Sequence, residues 1–434
     1  MFVSDCLGVN EKGHLTIGGV DTLALAEQYG TPLYVMDENE IRKNAREFTS
    51  GIEKYYGGKG RVAFACKAFC CKEICRIAQS EGLWLDAVSG GEIHTALSAG
   101  FPAGQIIFHG NNKPATELAE AIEAGIGRIV VDNIFELEML NQLAGAAGKD
   151  TKVKIQLRIK PGVEAHTHEF IATGQIDSKF GFALETGEAL EAVKNALARE
   201  NIELVGLHCH IGSQIFDVAA FEETARVMVG FVGQIKSELG HRLAELNLGG
   251  GFGIKYLPEH APAPYGSYME AVSKVVLKGC KVHGIEQPDI ILEPGRSITG
   301  PAGITLYTIG ALKEIPGIRT YLTVDGGMAD NPRYILYQSR YEMLLAGRPT
   351  APKTGGYKVA GRCCESGDIL GVDIPLPKPN VGEILAVLAT GAYNYTMASH
   401  YNRLPNPAIV MVKDGHSRVV VRRESYDDLL RNDV

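Results

Sequence analysis

The 434-residue chain has no excess of basic charge: 43 Lys and Arg stand against 51 Asp and Glu, for a net charge of −8. Nucleic acids and anionic membrane surfaces require a basic face, so neither is expected as a partner. Long hydrophobic runs are also missing, and no apolar stretch approaches the roughly 18 residues of a membrane span. Met1 to Asn10 contain Asp5 and no Lys or Arg, so the basic start of a secretory leader is not found. There are no like-charge blocks, internal repeats or low-complexity segments. The nine cysteines are odd in number and include two adjacent pairs, Cys70-Cys71 and Cys363-Cys364. That pattern makes no disulfide framework and fits a reducing cytoplasm.

The composition that remains is globular, 45% hydrophobic and 22% charged, and the length suggests two or three domains. From about residue 60 to 296, strand-like and helix-like stretches alternate. Eight strand candidates are Arg61–Ala65, Leu83–Val88, Ile106–His109, Arg128–Val131, Lys154–Ile159, Leu204–His208, Glu245–Leu248 and Asp289–Glu293. Between them lie amphipathic segments such as Glu117–Ala124, Ala189–Ala198, Phe221–Leu239 and Ser267–Val282. Eight strands over roughly 235 residues is close to the size of a (β/α)8 barrel. An open doubly wound sheet is the competing fold, but it would not need chemical motifs spread over strands one, six, seven and eight.

After Arg296 the texture changes to short alternating strands between Gly, Pro and Asp turns: Ile304–Ile309, Tyr321–Val324, Tyr357–Ala360, Ile384–Leu388, Ala408–Val412 and Arg418–Arg422. These predict an antiparallel β domain, which His14–Ile17 would join. Asp37 to Tyr55 reads as the helix entering the barrel, with Asp37 as N-cap and Glu40 at the capping-box position. The expected division is a barrel over 31–300 and a β domain from 1–30 and 301–434.

Four motifs sit at expected strand ends: Ala65-Cys66-Lys67-Ala68, His208-Cys209-His210-Ile211-Gly212-Ser213, Gly249-Gly250-Gly251-Phe252-Gly253 and Glu293-Pro294-Gly295-Arg296. In a closed parallel barrel these ends converge on one rim, where active sites are built. Lys67 follows small apolar residues, whose burial lowers a lysine pKa and supplies the neutral amine a Schiff base requires; alone, it reads more readily as a solvated loop lysine, and the other three motifs reverse that. Glu293 can pair with a protonated pyridine nitrogen and so maintain an electron sink. Arg296 can grip a phosphate or carboxylate bidentately. Gly249, Gly250 and Gly251 allow backbone N–H groups near phosphate oxygens, although a tight turn explains them too. Ser213 can donate a hydroxyl to that phosphate, and His210 can stack on a ring. The set suits a pyridine ring bearing a phosphate, that is, pyridoxal phosphate.

Two metal readings fail on position. His208-x-His210 places two rings on one strand face, but amidohydrolase-type pairs belong to the first strand and here the pair is on the sixth. Cys66-x3-Cys70 lacks the third cysteine of the radical S-adenosylmethionine pattern, since position 73 is Glu73. No metal is expected.

With these residues in view, the chain resembles the barrel-type (fold type III) pyridoxal phosphate decarboxylases, and within them the diaminopimelate decarboxylases. The likeness runs nearly end to end. It includes Asp86-Ala87-Val88-Ser89-Gly90-Gly91-Glu92, Phe108-His109-Gly110-Asn111-Asn112-Lys113, Ser178-Lys179-Phe180-Gly181, Asp330-Asn331-Pro332-Arg333-Tyr334, Cys364-Glu365-Ser366-Gly367-Asp368 and Gly391-Ala392-Tyr393. The resemblance implies a β domain formed from both chain ends and a cytoplasmic homodimer with shared active sites. It implies that Lys67 binds pyridoxal 5′-phosphate covalently and that Glu293 meets the ring nitrogen. His210 would stack on the ring, and Ser213, Gly250, Gly251, Gly295 and Arg296 would serve the phosphate region. Cys364 would be the proton donor, coming with Glu365 from the partner subunit. Arg296, Arg333, Tyr337 and Glu365 would hold the amino-acid substrate, and Tyr393 would line both cofactor and substrate. Phe69 departs from the Asn that many relatives carry after Lys-Ala, and Cys363 adds a second thiol beside Cys364.

The implied reaction is decarboxylation of meso-2,6-diaminopimelate to L-lysine and CO2. That substrate ends in an amino-acid zwitterion, which two arginines, a tyrosine and a glutamate can grip. A decarboxylase of lysine, ornithine or arginine type has no use for Arg333, and a racemase would pair the ring nitrogen with an arginine instead of Glu293. A non-catalytic regulatory relative would lack Lys67 or Cys364.

Overall fold

The structure, a computed structural model, describes residues 2–148, 152–163 and 177–434. The chain divides into two compact units. One comprises Met1–Asn44, Ile254–Ala261 and Arg296–Val434; the other comprises Ala45–Gly253 and Pro262–Gly295.

The second of these is a closed parallel barrel of eight strands: β1 Gly60–Ala65, β2 Trp84–Ala87, β3 Ile106–Phe108, β4 Arg128–Val131, β5 Val153–Lys160, β6 Ile202–His208, β7 Glu245–Asn247 and β8 Asp289–Leu292. Neighbours pair in chain order, and closure comes from β8 meeting β1 in the register Ile290 to Gly60 and Leu292 to Val62. Every strand proposed from sequence is found, with ends shifted by one or two residues. Three of the helices between strands begin at a side-chain cap. Ser89 Oγ accepts from Glu92 N, Asn133 Oδ1 from Glu136 N, and Asp217 Oδ1 from Ala219 N. The helix Val218–Leu239 ends at Gly240 in the left-handed conformation. Its Phe221 stacks on Phe252 at 5.1 Å and meets Tyr268 of Tyr265–His283 edge-on at 5.2 Å. This clamps two outer helices to the barrel wall.

The other unit is built around a seven-strand path: Ile369–Leu376, Gly355–Ala360, Arg319–Val324, Gly303–Ile315, Leu33–Asp37, Ala408–Lys413 and His416–Val421. Met343–Leu345 pairs with Ile384–Val387, which also pairs with Gly303–Ile315. The mainly antiparallel domain expected from sequence is present, with two parallel pairings within it: Leu33–Asp37 to Ala408–Lys413, and Arg319–Val324 to Gly355–Ala360. A separate three-strand sheet, Leu7–Val9, Leu15–Ile17 and Val20–Asp21, carries the strand foreseen near His14. The core is Leu33, Val35, Ile304, Leu306, Leu385, Val387, Val410 and their neighbours, all buried.

Three details differ from the sequence reading. Leu33–Asp37, assigned to the barrel stretch, is a central strand of the β sheet; its residues are buried on both faces, and a continuous apolar run does not disclose its partner. Met343–Leu345 and Ile369–Leu376 are further strands. The capping box at Glu38–Tyr56 forms only in part. Asp37 Oδ1 accepts from Asn39 N at 2.8 Å and Glu40 N at 3.3 Å, but the Glu40 carboxylate turns to Lys43 instead. Among the described residues, no helix is long and apolar enough to cross a membrane.

Candidate active site

At the carboxyl end of β1 a single turn, Cys66–Ala68, carries Lys67. Its Nζ lies 3.0 Å from Oδ2 of Asp86, the penultimate residue of β2, whose side chain is fully buried. The sequence predicted a lysine neutralised by apolar burial; instead its side chain is 42% exposed and anchored by a carboxylate. Asp86 Oδ1 is buried without a hydrogen-bond partner, a site that can take a donor from a ligand or water.

Glu293, immediately after β8, is also buried. Its Oε1 accepts from His109 Nε2 at 2.8 Å and from Asn247 Nδ2 at 2.6 Å; its Oε2 meets His208 Nε2 at 3.2 Å. Burial pushes the Glu293 carboxyl up, but His109 and His208 outweigh it and hold the group well below its ordinary value. Burial pushes His208 down to about 4 against the pull of Glu293. Its Nδ1 is buried without a partner, as befits a neutral ring that donates through Nε2 and keeps a bare nitrogen elsewhere. The His109 and His208 rings meet edge-on, 4.7 Å apart. Oε2 has one long bond and retains capacity for another donor.

The glycines beside this carboxylate are required by the protein itself. A Cβ on Gly250 would meet the Glu293 carbonyl oxygen at 2.2 Å, and one on Gly251, at φ +109°, the Gly212 carbonyl oxygen at 2.6 Å. The rim loops thus pack backbone to backbone. Gly295 lies against the lysine turn, where a Cβ would stand 2.9 Å from Ala65 Cβ and 3.0 Å from Ala68 Cβ. Gly250 N donates to His210 Nδ1 at 3.3 Å. Burial first, then the cations Lys67 and Arg158, push His210 well below its ordinary value. Ser213 follows in the same half-buried loop.

The remaining residues singled out from sequence lie in the other unit. Arg296 and Arg333 are both buried. The Arg296 guanidinium lies 4.6 Å from the centre of the Tyr393 ring and donates to Tyr256 Oη at 2.5 Å. The Arg333 guanidinium lies 5.2 Å from the Tyr337 ring and 5.4 Å from Tyr393, and its Nη2 donates to Ser339 Oγ at 3.3 Å. Its Nε has no hydrogen-bond partner, and among the described residues no carboxylate pairs with it. A buried guanidinium without an anion is costly. Tyr393, between the two arginines, holds a left-handed backbone at φ +61°, strained for a bulky residue. Of the two thiols, Cys364 is exposed and Cys363 is buried. Burial, and then the Asp368 carboxylate, push Cys363 up to about 11. Glu365 Oε1 caps its own turn through Gly367 N at 3.0 Å.

Residue-level reading of the sequence assigned no role to Asp86, His109, His208 or Asn247. Strand alternation did place His208 and His210 on one face, but the partner it suggested was a metal, whereas His208 meets Glu293. His109 and Asn247 also sit at strand ends, and that position was the available signal.

Lys67, the capacity left on Glu293 Oε2, the unpartnered Asp86 Oδ1 and the neutral His210 ring together fit a pyridoxal ring. Residues 38–300 match the family model described as "Pyridoxal-dependent decarboxylase, pyridoxal binding domain". The chain is 49% identical over 424 residues to a diaminopimelate decarboxylase of Bacillus methanolicus, covering 98% of each chain. It is 48% identical to that of Bacillus subtilis, covering 100% of this chain and 98% of the relative. Among solved structures it is similar to the diaminopimelate decarboxylase of M. jannaschii in complex with L-lysine, at 36% identity and a TM-score of 0.92 over 100% of this chain and 99% of that one. A lysine/ornithine decarboxylase of Vibrio vulnificus, 22% identical with a TM-score of 0.76 over 90% of this chain and 97% of that one, shares the fold. With the barrel, its rim and matches over the whole length in agreement, the chain belongs to the diaminopimelate decarboxylase family of pyridoxal phosphate-dependent decarboxylases.

Proposed function

We propose that this chain removes CO2 from meso-2,6-diaminopimelate to give L-lysine, the last step of bacterial lysine synthesis. The observation that carries the substrate assignment is Arg333, buried with an unpartnered Nε and with no carboxylate partner among the described residues. A distal substrate carboxylate satisfies it; lysine or ornithine has none to offer. Glu293, rather than an arginine, opposite the ring nitrogen favours decarboxylation over racemisation.

Pyridoxal phosphate, when bound, supplies the electron sink for the pair left as the bond to CO2 breaks. Lys67 holds it and yields it to the substrate amine, with Asp86 orienting the lysine. Glu293 serves the ring nitrogen and His210 lies on the ring face. Ser213, Gly250, Gly251, Gly295 and Arg296 serve the phosphate end. Arg296, Arg333, Tyr337 and Glu365 grip the substrate, and Tyr393 lines both ligands. Cys364, the exposed thiol of its pair, returns a proton to the carbon. We assign Cys364 and Glu365 to the active site of a partner subunit in a homodimer, and the protein to the cytoplasm, in keeping with nine free cysteines.

CO2 release from a stereochemically defined panel tests the reading. Diaminopimelate should far outpace lysine and ornithine. Arg333→Met should abolish that preference, lowering kcat/KM for diaminopimelate by about 100-fold or more while sparing any lysine activity. Equal losses on both substrates would place Arg333 outside substrate selection.

A further inference from the structure

Beneath Glu293 the barrel interior carries a hydrogen-bonded column instead of a purely apolar filling. Asn247 Nδ2 reaches Gln156 Oε1 at 3.2 Å as well as Glu293, and Gln156 Nε2 donates to Glu245 Oε2 at 2.9 Å. Glu245 in turn takes Arg128 Nη2 at 2.6 Å and Nε at 2.9 Å, with Arg61 Nη1 at 3.5 Å. Gln156 and Asn247 are completely buried and Glu245 nearly so. Glu245 and Asn247 are two apart on β7 and share a face; Gln156 comes from β5 and Arg128 from β4.

The column has a direction. Glu245 is flanked by two arginines, whose attraction and hydrogen bonds overcome burial and keep it ionised, so it offers acceptors only. Gln156 must then turn its Nε2 toward Glu245 and leave Oε1 for Asn247. Asn247 must present its amide hydrogens to Gln156 and Glu293, which leaves its Oδ1 to accept Gly249 N at 3.0 Å. A flipped Asn247 would set its oxygen against the Glu293 carboxylate and a second donor against Gly249 N.

We propose that Gln156 and Asn247 are positioning residues, a relay by which the Glu245–Arg128 ion pair fixes the donor that aims Glu293. The inference rests on the reading that Glu293 serves the ring nitrogen. Gln156 touches neither cofactor nor substrate in this scheme, so its influence passes through Asn247. Conformational coupling of this kind travels through contacts with two discrete arrangements, here the two amide orientations.

The holoenzyme is reconstituted with pyridoxal phosphate labelled with 15N in its ring, and the ring-nitrogen resonance is followed with pH alongside steady-state kinetics. Gln156→Met keeps the side chain's length but cannot orient Asn247. It should move the ring resonance toward its unprotonated position and lower kcat by about tenfold, with KM changed less than about twofold. Asn247→Asp keeps the Gly249 N acceptor and places a second carboxyl beside Glu293, so the resonance should titrate between about pH 6 and 9, where the parent is flat. Glu293→Gln serves as the limit. If Glu293→Gln shifts the resonance while Gln156→Met and Asn247→Asp, folded and loaded with cofactor, leave both resonance and kcat as in the parent, the relay is overturned. If Glu293→Gln itself leaves the resonance unmoved, the pairing of Glu293 with the ring fails and the relay fails with it.

Discussion

Replacing His208 by Gln should flatten part of the acid sensitivity of folding. In the folded protein burial pushes His208 down to about 4, while in the unfolded chain it titrates near its ordinary 6.5. A base whose folded pKa is depressed favours folding in its neutral form. Its contribution is complete above about 6.5 and is lost as pH falls toward 4, because the unfolded chain takes up the proton first. The gap of about 2.5 units corresponds to about 3 kcal/mol, of which about 2 kcal/mol disappears between pH 7 and pH 5. Glutamine keeps an N–H near the place of Nε2 for Glu293 but has no proton to gain. Glu293 itself contributes stability that is present above the ordinary carboxylate range and is lost only as pH falls through its depressed folded value. Its titration lies below the window in the parent, and the glutamine N–H, with His109 and Asn247 still in place, should keep it there in the variant. Urea unfolding of parent and His208→Gln at intervals from pH 7 to 5, with cofactor occupancy matched, reads the difference directly. The parent should lose about 2 kcal/mol more than the variant. Parallel curves would show that His208 is not held neutral by its surroundings and would refute the donor assignment at Glu293.

Borohydride reduction of the holoenzyme should fix the cofactor on Lys67, read by peptide mapping; a label on another lysine would displace the rim assignment. Brief treatment with iodoacetamide near pH 8 should alkylate exposed Cys364 at least tenfold faster than Cys363, whose thiol burial keeps protonated at that pH; the reverse order would reassign the reactive thiol. Lys67→Ala and Cys364→Ala chains, each inactive alone, should recover about a quarter of parental CO2 release when mixed, because half of randomly assembled dimers are mixed and each has one intact site. No recovery in dimers shown to be mixed would place both residues in one subunit's site.

The barrel was readable because each strand is a short apolar run closed by a turn, and because its chemical residues fall at the same end of successive strands. Lys67, Glu293 and the glycine run were found by that rule. The Glu293 donors were not, since His109 and Asn247 are 184 and 46 residues from it in sequence and no local periodicity joins them. Lys67 stands at the end of its strand, as its motif predicts, but in surroundings that differ from the apolar ones expected. The flanking small residues describe the strand's burial, whereas the side chain reaches across to Asp86 on the next strand. Leu33–Asp37 shows the same limit at the level of elements: an apolar run announces a buried strand but leaves its neighbours unnamed.

That strand has a consequence for how the protein is made. Leu33–Asp37 lies between Gly303–Ile315 and Ala408–Lys413, one of its sheet neighbours being about 370 residues further along the chain. At ribosomal rates of roughly 5 to 20 residues per second, it waits about 20 to 70 s after emerging before both edges are covered. During that interval Leu33, Tyr34, Val35 and Met36, all buried in the finished sheet, are solvent-exposed edge with open backbone donors and acceptors, the kind of segment to which chaperones bind and through which nascent chains aggregate. Yield in a heterologous host should therefore respond to translation speed and chaperone supply through this N-terminal strand, even though the barrel that follows it closes on its own, shorter timetable.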